Sequence, residues 1–327
     1  MYQDTCARNH KRHNSATLKK KHPSSSGMLH IIISSHNEPK STLEALRRIK
    51  EQELPKEHMI IVSDPFEKIK RLLREHHPDV NVVLDTGEGK SKALNRILKR
   101  IWSENTNDII VFTDGDVFLE NGVITAISKK FKNEEVGVVC GHPISMNEKQ
   151  DKLGWWSHLL FEEMNATRKE ADQKNEFFEI TGYLFAIRNG IIKEFPVDAS
   201  EDNVIPTIFY NKGYQIAYAK DARVQVLNPQ TFKEWVTQKK RNIKGHLALR
   251  SQINVTRNRK NTFLGEAKRG LKFLASHVRT PKDLSWSLQL LVARLYAWSL
   301  AYIDVMKGKK YQDGWRIEET KSTSPLD

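Results

Sequence analysis

Four short apolar runs, each followed by a stretch of helical periodicity, constrain this chain more than any other feature. "LHIIISS" (Leu29 to Ser35) precedes a stretch in which Leu43, Leu46 and Ile49 recur at helical spacing. The plan repeats as "HMIIVSD" before "PFEKIKRLLREHH", "VNVVLD" before "GKSKALNRILKRIW", and "DIIVFTD" before "LENGVITAISKKF"; "VGVVCG" reads as a fifth strand. Strands that are apolar throughout and alternate with helices predict an α/β fold with a mostly parallel sheet covered on both faces. In open sheets of this kind, ligands bind beyond the carboxyl ends of the strands.

The polar residues fall at those ends. Ser34, His36, Asn37 and Glu38 follow the first strand, Asp64 ends the second, Gly87, Gly89 and Lys90 follow the third, and Asp114 and Asp116 end the fourth. One such acid is commonly a cap or a turn former. Four successive strand ends furnished this way predict a shared rim that binds something. Asp114-Gly115-Asp116 also poses a physical problem, because two carboxylates this close repel, and burying them is costly unless a cation or donors compensate. "TGEGKSKALN" imitates a phosphate-binding P-loop, but the glycine required five positions before Gly89 is Leu84. What remains is a glycine-rich turn into a lysine-bearing helix N-terminus, suited to phosphate oxygens.

Further along, "FFEITGYLFAIRNG" (Phe177 to Gly190) reads as an apolar strand interrupted by Thr181 and Gly182. Glu201 and Asp202 open a helix, where an acid also suits the positive helix end. Two more short strands are expected before a basic helix over Thr231 to Gln252, in which Trp235, Gln238 and Arg241 recur at helical intervals. A last helix follows the cap-like Thr280-Pro281 and is apolar nearly all round from Leu284 to Met306. Its length of about 23 residues just reaches the roughly 20 needed to cross a bilayer. Arg294 near its centre costs roughly 2.5–3.5 kcal/mol on insertion. A buried or interfacial helix is therefore expected, with Trp286, Tyr296, Trp298 and Tyr302 suited to a membrane boundary and a true span as the alternative.

A net charge of +13 over 327 residues points to anionic partners: nucleic acid, an anionic membrane face or phosphorylated substrates. The stretch Cys6 to Gly27 is basic and nearly without large apolar residues, so it reads as a disordered tail; it has no apolar segment of a secretory signal. Two cysteines exclude a disulfide framework and suit a reducing cytosol. The expected organisation is a basic tail over 1–27, a catalytic α/β domain over 28–245 and a helical, membrane-associated region over 246–327.

These residues, in this order, resemble the family-2 glycosyltransferases of GT-A fold, over about Leu29 to Gly245. The likeness is closest to the catalytic cores of cellulose and hyaluronan synthases. It rests on Ser34-Ser35-His36-Asn37-Glu38 after the first strand, Asp64 after the second, Lys90 before "SKALN", and the Asp114-Gly115-Asp116 triplet. "FEITGYLFAIR", "SED" (Ser200 to Asp202) and "QKKRN" (Gln238 to Asn242) complete it. The chain departs from the family pattern at Ser34, at His36 where tyrosine is common, and at Asn242 where tryptophan would mark a processive polymerase.

The resemblance implies a nucleotide-sugar donor, a UDP-sugar or alternatively a GDP-sugar. It implies Mn²⁺ or Mg²⁺ bound by Asp116, with Asp114 on the ribose or a metal-bound water. Ser34, His36, Glu38 and Asp64 would then hold base and ribose, and Lys90 would approach the sugar-phosphate. Gln238 and Arg241 would hold the diphosphate or the acceptor end. Glu201 and Asp202 form the catalytic acid pair, with Asp202 as general base for single displacement and inversion. The acceptor expected is a glycan or lipid-linked molecule, and the enzyme is expected to be cytoplasmic and peripheral to an anionic membrane surface. Two rivals are a sugar nucleotidyltransferase, which lacks its glycine-rich signature in "SSHNEPKS", and a basic nucleic-acid-binding protein, whose phosphates the strand-end acids would repel.

Overall fold

The computed structural model describes residues 27–197, 200–252, 270, 273–274, 277–309, 311 and 323–327. The basic tail before Gly27 and the segment Asp313 to Ser322 lie outside them. The first half runs β1 (Leu29–Ser34), α1 (Pro39–Lys50), β2 (His58–Asp64), α2 (Glu67–His76), β3 (Asn81–Leu84), α3 (Lys90–Ile101), β4 (Ile109–Asp114), β5 (Val117–Leu119) and α4 (Val123–Lys130). The second half runs β6 (Val136–Ser145), α5 (Lys152–Gln173), β7 (Leu184–Arg188), α6 (Glu201–Asn211), β8 (Gln215–Val226), α7 (Phe232–Gln252) and α8 (Pro281–Met306).

One eight-stranded sheet has the order β3-β2-β1-β4-β7-β6-β8-β5. Strands β1 to β4 are parallel, with Ser34 opposite both Ser63 and Asp114, and Asp64 opposite Leu84. The register therefore sets the polar strand ends side by side. β7 runs antiparallel between β4 and β6, while β6 and β8 are parallel. Alternate residues of the strands feed two cores. Ile31, Ile33 and Val111 pack with Leu46, Ile49, Ile69 and Leu73 of α1 and α2. Ile32, Ile110 and Phe112 pack with Leu94, Ile97 and Leu98 of α3 and with Val204, Ile205 and Phe209 of α6.

Two expectations need correction. The strand read over Phe177 to Gly190 is only Leu184–Arg188. Before it, the carbonyls of Glu179 and Ile180 accept from the Arg168 guanidinium at 3.0 and 3.1 Å, which pins this stretch as a loop. The two short strands expected after α6 are one twelve-residue strand, β8. The polar Lys220-Asp221 break is a register shift, where pairing with β6 jumps from Cys140↔Tyr218 to His142↔Arg223. Arg188, at the end of β7, donates to the carbonyls of Val136, Thr106, Phe131 and Asn133 at 2.7–3.1 Å, which ties β7 to the chain on both sides of it.

α7 and α8 pack with α5 in a helical platform beside the sheet, built on Trp156, Leu159, Trp235, Val236, Ile243, Leu290, Ala293, Ala297, Trp298 and Ala301. α8 begins with a full capping box, Thr280 Oγ1 accepting from Asp283 N and the Asp283 carboxylate accepting from Thr280 N. Among the described residues, no helix is long and apolar enough to cross a membrane.

Candidate active site

The turn after β4 is shaped by its glycine. A Cβ on Gly115 would meet Thr42 Oγ1 at 2.7 Å and Glu38 Oε1 at 3.1 Å, so the acids at 114 and 116 can flank only a residue without a side chain. The loop from β1 into α1 crowds this turn, and Gly115 N donates to Ser34 O at 2.7 Å. Beside it, Ser35 and Thr42 share a buried hydroxyl pair at 2.7 Å. Asp116 is almost fully buried.

Lys90, the first residue of α3, closes the gap between the two halves of the sheet. Its ammonium lies 2.6 Å from Asp114, 3.0 Å from Glu201 and 3.5 Å from the Gly182 carbonyl. Burial opposes its charge, but the two carboxylates outweigh that and hold its pKa above the usual lysine value. Asp114 is pushed up to about 6, chiefly by burial; the pull of Lys90 opposes this, and the nearby Asp116 adds to it.

The acids that open α6 are displaced in opposite directions. Burial works against the charge of Glu201, yet Lys90 and Arg241 outweigh it and hold the group below the ordinary glutamate value. Asp202 is pushed up by burial and then by Glu201, although it accepts a hydrogen bond from Ser200 Oγ.

Gln238 and Arg241, three residues apart on one face of α7, complete the cluster. Gln238 is 6% exposed, and its Oε1 has no hydrogen-bond partner among the described residues; the same holds for Glu201 Oε2. Buried polar atoms left this way call for a water or a polar ligand as partner. Arg241 lies near Glu201 and Asp202 and over the ring of Tyr311, 5.5 Å from its centroid.

The groups after β1 and β2 are held differently. Asp64 is fully buried, and its oxygens accept from Phe66 N at 2.7 Å and Asn37 N at 3.0 Å, which shapes both loops; burial raises its pKa. His36 is exposed and meets Phe66 edge to face at 5.3 Å, an open aromatic pair on the rim. Ser34 is half-buried at the β1 end. Glu38 is buried and accepts from Ser324 Oγ at 2.7 Å.

The chain matches "Glycosyltransferase like family 2" over residues 26–245. The chain belongs to this family. It is similar to the N-acetylglucosaminyltransferase of Rhizobium meliloti (strain 1021), 23% identical over 64% of this chain and 54% of that protein. It is also similar to the probable glycosyltransferase YdaM of Bacillus subtilis (strain 168), 25% identical over 66% of this chain and 54% of that protein. The chain thus spans about half the length of these curated relatives. The mannosyltransferase PcManGT from Pyrobaculum calidifontis, solved with GDP-Man and Mn²⁺, shares the GT-A fold. Its TM-score is 0.60 at 18% identity, over 89% of this chain and 92% of that one.

In this family-2 chain, the donor set at 114–116 suits a hard divalent cation. Two carboxylates stand one residue apart, and a cation there would offset the burial and the repulsion from Asp116 that raise Asp114. Among the described residues no group of three or more His, Cys, Asp or Glu is placed to form a complete cage. The remaining ligands would be substrate oxygens and water. Sequence reasoning missed Tyr183, whose hydroxyl pKa is raised by burial and by Asp116, Asp114 and Asp202. Its place directly after Gly182 was the available signal. Tyr311 and Ser324 had none, because only the three-dimensional return of the chain brings them here.

Proposed function

We propose that this chain is an inverting glycosyltransferase that moves a sugar from a nucleotide-sugar to a hydroxyl of a glycan or lipid-linked acceptor. The observation that carries the reading is geometric: Lys90 reaches Asp114 at 2.6 Å and Glu201 at 3.0 Å, which sets the acids opening α6 beside the 114–116 turn. Asp202, with its raised pKa, accepts the proton of the attacking hydroxyl as that oxygen bonds to the anomeric carbon. Glu201 stays ionised and anchors Lys90, which fixes Asp114. Gln238 and Arg241 orient the diphosphate or the acceptor end, the guanidinium being matched to oxyanions.

Asp116, with Asp114, would hold Mn²⁺ or Mg²⁺, which would supply positive charge for the departing diphosphate. His36 and Phe66 offer the base a stacking edge, and Glu38 closes the ribose side. The donor is a UDP- or GDP-sugar, residues 28–245 are the catalytic domain, and the protein works peripherally on the inner face of a membrane.

Release of nucleoside diphosphate from a panel of nucleotide-sugars tests this. Assays would contain Mn²⁺, Mg²⁺ or chelator, with and without membrane lipids, beside Asp116→Ala and Asp202→Asn. Turnover of one donor that needs metal and both acids supports the reading. Silence with every donor, together with no metal-dependent nucleotide binding, sinks it.

A further inference from the structure

Helix α8 has two apolar faces, and the platform uses one of them. Leu290, Ala293, Ala297, Trp298 and Ala301 are buried against α5 and α7. On the opposite side, Leu284, Leu288, Val292, Leu295, Tyr302 and Met306 are between 44% and 78% exposed. Their spacing of three, four or seven residues puts them in one stripe. At 1.5 Å per residue the stripe is about 33 Å long. The charged residues within this stretch, Arg294 and Asp304, fall off the stripe at 100° per residue, and Asp304 is engaged by Lys240 at 3.0 Å and Lys309 at 3.4 Å.

Positive charge frames the stripe at both ends. Lys282 is exposed before it, and Lys307 and Lys309 are exposed after it. The other acid of the helix, Asp283, is committed to the backbone of Arg279 and Thr280. Lys282 lies 4.3 Å from the ring centroid of Trp286, and Trp286 meets Trp155 at 6.1 Å. Rings and lysine stems of this kind sit with an apolar body inward and a polar end in water.

We propose that the exposed face of α8 rests in the surface of an anionic lipid bilayer, with the helix axis along the plane of the membrane. Charge selects this occupant. A second copy of the chain would set lysines against lysines at the helix ends in either orientation, with no uncommitted acid on α8 to offset them. α7, which carries Gln238 and Arg241 to the active site, packs on the inner face of α8. The axis of α7 then runs about one interhelical distance, roughly 8–10 Å, above that of α8, between the bilayer and the proposed site. The inference rests on the lipid-linked acceptor reading for its purpose, whereas its test needs no turnover.

The test is flotation of the full chain with vesicles of phosphatidylcholine alone and of phosphatidylcholine with phosphatidylglycerol. Mn²⁺-dependent binding of a nucleoside diphosphate is measured on the same preparations. The expected result is binding to the anionic vesicles. The double variant Leu288→Glu/Val292→Glu should lower it at least roughly tenfold, and Lys282→Glu/Lys307→Glu should weaken it severalfold, both with nucleotide binding intact. No binding to either vesicle, or binding untouched by these substitutions, overturns the proposal. So does a stable dimer whose chains cross-link through Val292→Cys. If vesicles bind as expected but no donor turns over, the docking surface stands and the proposed reaction falls.

Discussion

Lys90 and Asp114 lie 2.6 Å apart, and the same ammonium reaches Glu201 at 3.0 Å, so one side chain joins the acid turn after β4 to the acids opening α6. Lys90→Ala leaves both carboxylates without their shared partner. Because these side chains keep up to about a fifth of their exposure, the expected loss is about 2–4 kcal/mol, short of the full value for breaking a buried pair. Chemical denaturation reads it; an unchanged midpoint would show that solvent already screens the cluster.

Asp114 sets a pH dependence. Its folded value of about 6 exceeds the ordinary 3.8, so the folded protein retains a proton that the unfolded chain has lost. The contribution of Asp114 to metal-free stability should therefore fall as pH rises from about 4 to about 6. Mn²⁺ competes with that proton, so the stabilisation it confers should appear above about pH 6 and fade below. Thermal melts across pH, with Mn²⁺ and with chelator, report both slopes. A Mn²⁺ effect equally strong at pH 5 would place the ion elsewhere.

In the proposed mechanism, Asp202→Asn removes the proton acceptor and keeps the shape. The expected drop in kcat is about 10²–10⁴-fold, with donor KM changed little. Steady-state kinetics with saturating acceptor separate the two constants. Equal losses in binding would make Asp202 a donor contact instead.

Gln238→Leu fills the same space without the unpartnered carbonyl oxygen. Stability should hold or rise slightly, since a buried polar atom without a partner is lost. Donor or acceptor KM should rise severalfold. The pairing of those two signs is what a ligand-facing amide predicts, and a large fall in stability would contradict it.

The legibility of this chain in its sequence follows its burial. β1 to β4 are continuous apolar runs because helices cover both faces, and their polar ends needed only the parallel register to meet. α5 carried no readable stripe, since it buries Trp156 and Leu159 towards the platform and polar Asn165 and Arg168 towards the sheet and its loops. β7 and β8 were misjudged where side-chain pattern and backbone pairing part company, at the Arg168-pinned loop and at the shift near Lys220. The roles of Lys90 and Glu201 as partners depend on a contact between positions more than a hundred residues apart, which no local pattern encodes.

The bond from Ser324 Oγ to Glu38 spans 286 positions, and it sits beside Asp327, whose side chain accepts from Ser41 N at 2.9 Å at the start of α1. Ser324→Ala should cost about 1–2 kcal/mol and raise donor KM severalfold, which kinetics on the purified variant would measure. Chains fold from the N-terminal side as they leave the ribosome. A nascent chain can thus finish all eight strands and the acids at 201 and 202 before Ser324, one partner of Glu38, is made. The proposed donor edge at Glu38 is joined by a residue made 286 positions later, so a ribosome stalled shortly before Ser324 would hold a folded sheet whose Glu38 edge lacks that contact.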